Sequence, residues 1–260
     1  MPRTVIMKFG GASFSHQDNF DNIADIIIDR SKNYDRTVVV VSAMAGMTDV
    51  LIEMAYSVHP LPPNREKDML ISVGERISMS LLSMALSKKN IEAVSFTGSQ
   101  SGIITSSIHS NAQIIDVRPY RLIDALESGK VAIVAGFQGV SEEHEITTLG
   151  RGGSDTTAVA LAAALKADKV EFFKDVLGVY DIDPNKHTHA KMHNTLNYEE
   201  ALEIAKKGAK VLHSRCIELA EKNNIPLKVL SFKKNSYKKD NGTTICSNNM
   251  TCKEKTLFEN

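Results

Sequence analysis

The chain has 260 residues, 42% hydrophobic and 24% charged, an ordinary balance for a soluble globular protein with a sizeable core. Lys plus Arg equals Asp plus Glu at 31 each, so no global field attracts nucleic acid or an anionic membrane, and an anionic ligand must be held by a local cluster. No run approaches the roughly 18 apolar residues that cross a bilayer, and the start lacks the apolar core of a secretion signal.

Short β-branched runs alternating with helical patterns predict an α/β fold, a mostly parallel sheet with helices on its faces. A first strand over 4–9 ends in Lys8-Phe9-Gly10-Gly11-Ala12-Ser13. Adjacent glycines at a strand end let the backbone turn sharply and approach a ligand. Consecutive N–H groups there can form an anion nest, and Lys8 adds a point charge. That outlines a phosphate site, although a plain strand-to-helix turn with a snorkelling lysine accounts for the same residues. A helix over 18–31 follows, with Ile23, Ile26, Ile27 and Ile28 as its apolar stripe. A strand over 37–42 then opens the small loop Ser42-Ala43-Met44-Ala45-Gly46-Met47-Thr48. Inside a helix over 66–88, Gly74 costs about 1 kcal/mol relative to Ala, which invites a reason for the pair Gly74-Glu75. Glu75 can meet the ammonium group of an amino acid, or lie on the surface beside Arg76 or a lysine.

A strand over 92–97 leads into a second hydroxyl-rich loop, 97–102, and a helix over 119–127 and a strand over 130–135 come next. In open α/β sheets ligands lie beyond the carboxyl ends of the strands, where these loops fall. Gly150-Arg151-Gly152-Gly153-Ser154-Asp155 opens an alanine-rich helix over 154–167. Ser154 or Asp155 suits the N-cap of that helix. Arg151, set between glycines, presents a planar fork suited to a carboxylate, and the helix N-terminus adds partial positive charge. A strand over 169–174 precedes a polar stretch, 175–210, whose His187, His189 and His193 match no standard zinc spacing, so no protein metal site is predicted. Helices over 198–206 and 214–222 and a strand over 226–231 complete the pattern. The polar tail from 233 reads as a mobile, solvated extension. Cys216, Cys246 and Cys252 form neither an even disulfide set nor a C-x-x-C pair and read as reduced thiols of a cytoplasmic protein. The P-loop, dinucleotide and protein-kinase signatures are absent.

Taken in order, Lys-Phe-Gly-Gly at 8–11, Ser-Ala-x-x-Gly-x-Thr at 42–48, Gly-Glu at 74–75, Gly-Arg-Gly-Gly-Ser-Asp at 150–155 and Gly-Ala-Lys-Val-Leu-His at 208–213 resemble the catalytic domain of aspartokinases. The loop 97–102 and Gly136-Phe137-Gln138-Gly139 look like that family too, so the resemblance spans about 5–245. It implies the amino-acid kinase fold, a three-layer αβα sandwich occupying 1–232. The acceptor lobe would run over about 1–150 and the nucleotide lobe over about 151–232. It further implies ATP and Mg²⁺ as cofactors, L-aspartate as substrate and a homodimer. The reaction would be the phosphorylation that opens the pathway to lysine, threonine and methionine. Matched position by position, Lys8, Gly10 and Gly11 would face the phosphates, with Lys174, Asp175, Tyr180, Asp183 and Lys210 lining the nucleotide pocket. Ser42, Thr48, Glu75, Arg151, Gly152, Gly153 and Ser154 would hold aspartate, and Asp155 would organise the site around Lys8.

The chain departs from the family pattern at Ala12 and Lys174, where Thr is common, at Asn185 for Arg and at Ser214 for Pro. None of these is expected to touch Lys8, Glu75, Arg151 or Asp155. The resemblance stops where aspartokinases continue into paired ACT regulatory domains, so activity indifferent to lysine and threonine is expected. Two other readings stay open on the residues themselves. One is a kinase of the same superfamily acting on glutamate, acetylglutamate, carbamate or a nucleotide. The other is a non-catalytic relative that senses such a ligand.

Overall fold

A strand whose side chains are buried on both faces must lie inside a sheet covered by helices on both sides, and Thr4–Phe9 is buried at all six positions. The computed structural model describes residues 2–16, 18–182, 184, 186–187, 189–208, 211–233, 236–237, 241–247 and 256–259. Its strands are β1 (Thr4–Phe9), β2 (Arg36–Val41), β3 (Ala93–Phe96), β4 (Ile103–Thr105), β5 (Ile114–Val117) and β6 (Val131–Ala135), then β7 (Gln138–Ser141), β8 (Ile146–Thr148), β9 (Lys169–Lys174), β10 (Thr195–Leu196), β11 (Leu227–Ser231) and β12 (Thr243–Ile245). Its helices are α1 (Asn19–Ser31), α2 (Met47–Val58), α3 (Asn64–Ile71), α4 (Val73–Lys88), α5 (Tyr120–Glu127), α6 (Gly153–Leu165), α7 (Tyr198–Lys206) and α8 (Ser214–Asn223).

The main sheet runs β10-β12-β11-β9-β1-β2-β6-β3, parallel throughout except where β12 meets β11. Alternation along β1 divides the core. Val5, Met7 and Phe9 join α1 and α4 on one face, while Ile6 joins α5, α6, α7 and α8 on the other. The molecule is therefore a three-layer αβα sandwich with a mostly parallel central sheet, as predicted. A smaller sheet runs β5-β4-β7-β8.

Four expectations change. The helix predicted over 66–88 is two helices meeting at Ser72, whose carbonyl accepts a hydrogen bond from Gln138 Nε2 at 2.7 Å. By length and hydropathy this 25-residue stretch could span a bilayer, yet half of its apolar window is buried in the fold. The loop expected over 42–48 turns helical at its end, where Gly46, at φ +77°, precedes α2, and Met47, Val50, Leu51, Met54, Ala55 and Val58 repeat along it at helical spacing. Neither Ser154 nor Asp155 caps α6; Gly152, at φ +74°, does, which frees both side chains for other partners. The tail is also not wholly an extension. Thr243–Ile245 pairs with both β10 and β11, and Gly242 is required there because a Cβ would lie 1.9 Å from the Val229 carbonyl. Residues 234–235, 238–240, 248–255 and 260 of the tail lie outside the described residues.

Candidate active site

The face rule that splits the core also aims the charged side chains. Lys8 shares the face of Ile6, and Lys174 shares the face of Phe172 on the neighbouring strand, so both point towards α6. α6 packs on β1, and the first turn of α6 supplies Asp155. Lys8 Nζ lies 2.6 Å from Asp155 Oδ1, and Lys174, contrary to the expectation that no departure touches Asp155, donates from Nζ to Asp155 Oδ2 at 3.1 Å because β9 lies beside β1. Lys8 and Asp155 are 4% and 6% exposed, so one carboxylate is held between two cations with little water to screen it. Burial lowers the Lys8 pKa, Asp155 opposes that fall, and Lys174 adds to it. Burial alone would raise Asp155, but Lys174 and Lys8 outweigh it and hold the carboxyl at about 2. Two lysines thus share one carboxylate, so by formal charge the group has an excess of cation. It sits at the carboxyl ends of β1 and β9, beside Gly10, whose Cβ would be 3.6 Å from Lys8 Nζ.

Gly11 opens a short 3₁₀ turn, Gly11–Phe14, and a Cβ there would press on the Ala43 carbonyl at 3.0 Å. The Ser13 hydroxyl beneath this turn is buried and has no hydrogen-bond partner among the described residues. Ala43 also joins the loop after β2 to α4, because its N–H donates to Glu75 Oε1 at 3.0 Å. This approach explains Gly74. A Cβ on it would fall 2.8 Å from the Ala43 Cβ, so only glycine lets α4 come close enough for Glu75 to reach the end of β2. Glu75 is not the surface glutamate that one reading allowed. It is 3% exposed, and its Oε2 has no partner among the described residues. Burial pushes its pKa up to about 7 against the pull of the Ala43 N–H. Arg76 turns away to Gln138, at 3.2 Å.

The other predicted residues that the structure describes occupy separate loops and helix starts. Ser42 is half-buried and donates its N–H to the Phe9 carbonyl at 3.1 Å, which seats the Ser42–Thr48 loop beside the glycine turn. Thr48 is half-buried in the first turn of α2. Arg151 is exposed, its guanidinium free to meet a ligand from solvent, between Gly150 and Gly152, both at positive φ. Gly153 is buried against Leu149 and Phe137, and Ser154 lies against Gly136, where a Cβ would be 2.8 Å from the Ser154 Cβ. Asp175 is exposed just past β9, and Tyr180 is half-buried in an isolated bridge to Met192. Asp183 and Lys210, and the departure at Asn185, lie outside the described residues.

Sequence reasoning passed over two supports. Asp68, fully buried in α3, accepts from the Ser110 and Thr148 N–H groups, from Ser110 Oγ at 3.1 Å and from Thr148 Oγ1 at 2.7 Å. It thereby pins the strand that leads into Gly150. Arg215, in α8, grips the same strand end through the Leu149 carbonyl. Nothing in a helical run marks either residue, because each acts on chain segments far away in sequence.

The sequence profile of the amino acid kinase family matches residues 3–231. The chain belongs to the amino acid kinase family. It is 50% identical over 242 residues to an aspartokinase of Corynebacterium glutamicum, an alignment covering 93% of this chain and 56% of that one. It therefore spans little more than half the length of such relatives. The fold matches aspartate kinase from Synechocystis with a TM-score of 0.83 at 41% identity, covering 98% of this chain and 41% of that one. It also matches E. coli aspartokinase III, solved in complex with aspartate and ADP, with a TM-score of 0.85 at 27% identity, covering 95% and 65%.

Proposed function

We propose that this amino acid kinase transfers the γ-phosphoryl group of MgATP to the β-carboxylate of L-aspartate, giving 4-phospho-L-aspartate and ADP. The observation that carries the reading is the arrangement of one net-cationic cluster, Lys8–Asp155–Lys174, beside the Gly10-Gly11 turn, with a buried, half-unpartnered Glu75 on the adjoining loop. The cluster suits phosphates, Glu75 suits an ammonium group, and Arg151 suits a second carboxylate. Similarity to aspartokinases, one of them bound to aspartate and ADP, supports the same assignment.

In this reading the β-carboxylate oxygen attacks the γ-phosphorus in line, a P–O bond forms, and the bond to the ADP oxygen breaks with its electrons leaving on ADP. The nucleophile is already deprotonated, so the protein needs no general base, and its task is placement and charge neutralisation. Lys8 offsets charge on the transferring group, and Asp155 keeps the buried ammonium protonated and aimed. Lys174, present here where Thr is common, shares that carboxylate and adds a second cation to the phosphate side. Magnesium would come with the nucleotide and offset charge on its phosphates, and Asp155 is the carboxylate of this cluster that could serve it. The reading extends to the first phosphorylation on the route to aspartate-derived amino acids and to a homodimer, for which exposed Val50, Met54 and Val58 on α2 offer an apolar face.

Incubation with MgATP, L-aspartate and hydroxylamine, which traps acyl phosphates, tests the reaction. Aspartate-dependent hydroxamate is the expected product. ADP release with glutamate, acetylglutamate or a nucleotide, and none with aspartate, would replace the acceptor.

A further inference from the structure

Helix α8 belongs to the nucleotide side of the sheet, yet its first turn is fastened to the loop that carries Arg151. The Arg215 guanidinium donates through Nη1 to the Leu149 carbonyl, one residue before Gly150, and through Nη2 to the Ala112 carbonyl at 2.6 Å. Both acceptor residues are fully buried. The same guanidinium pairs with both oxygens of Glu259, through Nε with Oε1 and through Nη2 with Oε2 at 2.7 Å. Glu259 is itself fixed. Its Oε2 accepts from the Ile114 N–H at 2.7 Å and its own N–H donates to the Ile114 carbonyl at 3.0 Å, so it lies along β5. Two residues earlier, Leu257 exchanges hydrogen bonds with the Asn223 side chain at the far end of α8, at 2.7 and 2.8 Å. Phe258 packs on the core between these anchors. The segment 256–259 is thus a strap from the end of α8 to the smaller sheet, and it is tied down at each end.

A second contact holds the same loop. His213, the N-cap of α8, lies so close to Gly152 that a Cβ there would be 2.4 Å from its ring. Arg215 grips the loop on one side of Arg151, and His213 rests against it on the other.

We infer that Arg215, oriented by Glu259 of the strap, is a positioning residue that sets the Gly150–Ser154 loop and so aims Arg151 at the acceptor. This rests on the reading that Arg151 receives the acceptor's carboxylate. A planar fork with five donors can serve two carbonyls and a carboxylate at once, whereas a lysine in its place could satisfy only some of them. Removing the fork leaves both carbonyls without their donor, and the loop drifts from the geometry that binding requires.

The test compares wild type with Arg215→Ala, Arg215→Lys and Glu259→Gln in the full chain, using the hydroxamate assay with each substrate varied in turn. Arg215→Ala should raise the KM for aspartate about tenfold, on the scale of a misplaced binding group, and leave the KM for ATP within about twofold. Arg215→Lys should fall between that variant and wild type, and Glu259→Gln should move the same constant less. Hydrogen exchange supplies a readout independent of turnover: amides over 150–154 should exchange faster in all three variants, while those of β1 stay protected. Equal changes in both KM values, or a lowered melting temperature with kinetics intact, would overturn the inference and leave Arg215 a general brace. If wild type uses a different acceptor, that acceptor's KM is the one read. If wild type turns over nothing, the proposed reaction fails, and unchanged exchange at 150–154 in Arg215→Lys and Glu259→Gln would overturn the positioning role as well.

Discussion

At the scale of single residues the site is a problem of charges kept out of water. Lys8 is buried, and burial favours loss of its proton; Asp155 opposes that loss and fixes the ammonium's direction. Removing the lysine takes away a donor aimed at charge that grows during transfer. Lys8→Ala should therefore lower kcat by about 10²–10³-fold, read as hydroxamate formed per minute under saturating substrates. A rate near that of wild type would take Lys8 out of the chemistry. Glu75 presents the opposite case, a carboxylate whose burial raises its pKa to about 7. The unfolded chain releases this proton near the ordinary value of 4.5, whereas the folded protein keeps it to about 7. Between those values the folded state binds more protons, so stability falls as pH rises, by about 3 kcal/mol in all. Glu75→Gln, permanently neutral, should accordingly be more stable than wild type at pH 8 by a similar amount in urea titration, and level with it at pH 5. The same variant should bind aspartate poorly. In wild type the KM for aspartate should climb as pH drops from 8 to 6, because an ammonium group needs the ionised carboxylate. A Glu75→Gln protein no more stable at pH 8 would show that the carboxylate is not strained in the unliganded fold.

At the scale of elements, close approach decides which residue types are possible. Replacing a glycine inside a helix by Ala ordinarily gains about 1 kcal/mol. At Gly74 the new methyl would sit 2.8 Å from the Ala43 Cβ, on a loop that also holds Glu75 and supports Gly11. Gly74→Ala should destabilise the protein by about 1–3 kcal/mol, the range for overpacking. Its KM for aspartate should rise with that loss, since α4 can accommodate the methyl only by carrying Glu75 away from β2. A gain in denaturation midpoint would show that the contact yields freely. The long strands were legible because burial on both faces demands unbroken apolar runs, and β1 and β9 lie where the sequence places them. The smaller sheet was not legible: β4 and β8 are three residues each, too short for period-two alternation to register.

For the molecule as a whole, the ligands of the proposed reaction should bridge the glycine turn after β1, the loop into α2, the start of α4 and the loop into α6. A ligand that binds only the folded state at 100 times its Kd adds about 2.7 kcal/mol. ADP with aspartate should consequently raise the melting temperature by about 5–10 °C, from a shift of roughly 2–4 °C per kcal/mol in a chain of this size. A midpoint unmoved by either ligand would remove both from this site. The division between sequence and structure follows the range of the forces involved. Local patterns determined the α/β class, the paired glycines after β1, the Arg151 loop and the family to which they belong, since each of these is written in adjacent residues. Tertiary structure alone decided that Lys174 joins Lys8 on Asp155, that Glu75 is buried and short of a partner, and that Arg215 holds the Arg151 loop. Which helix covers which face of a sheet depends on crossovers between distant segments, and a buried charge acquires its energy only from the groups that those crossovers bring beside it.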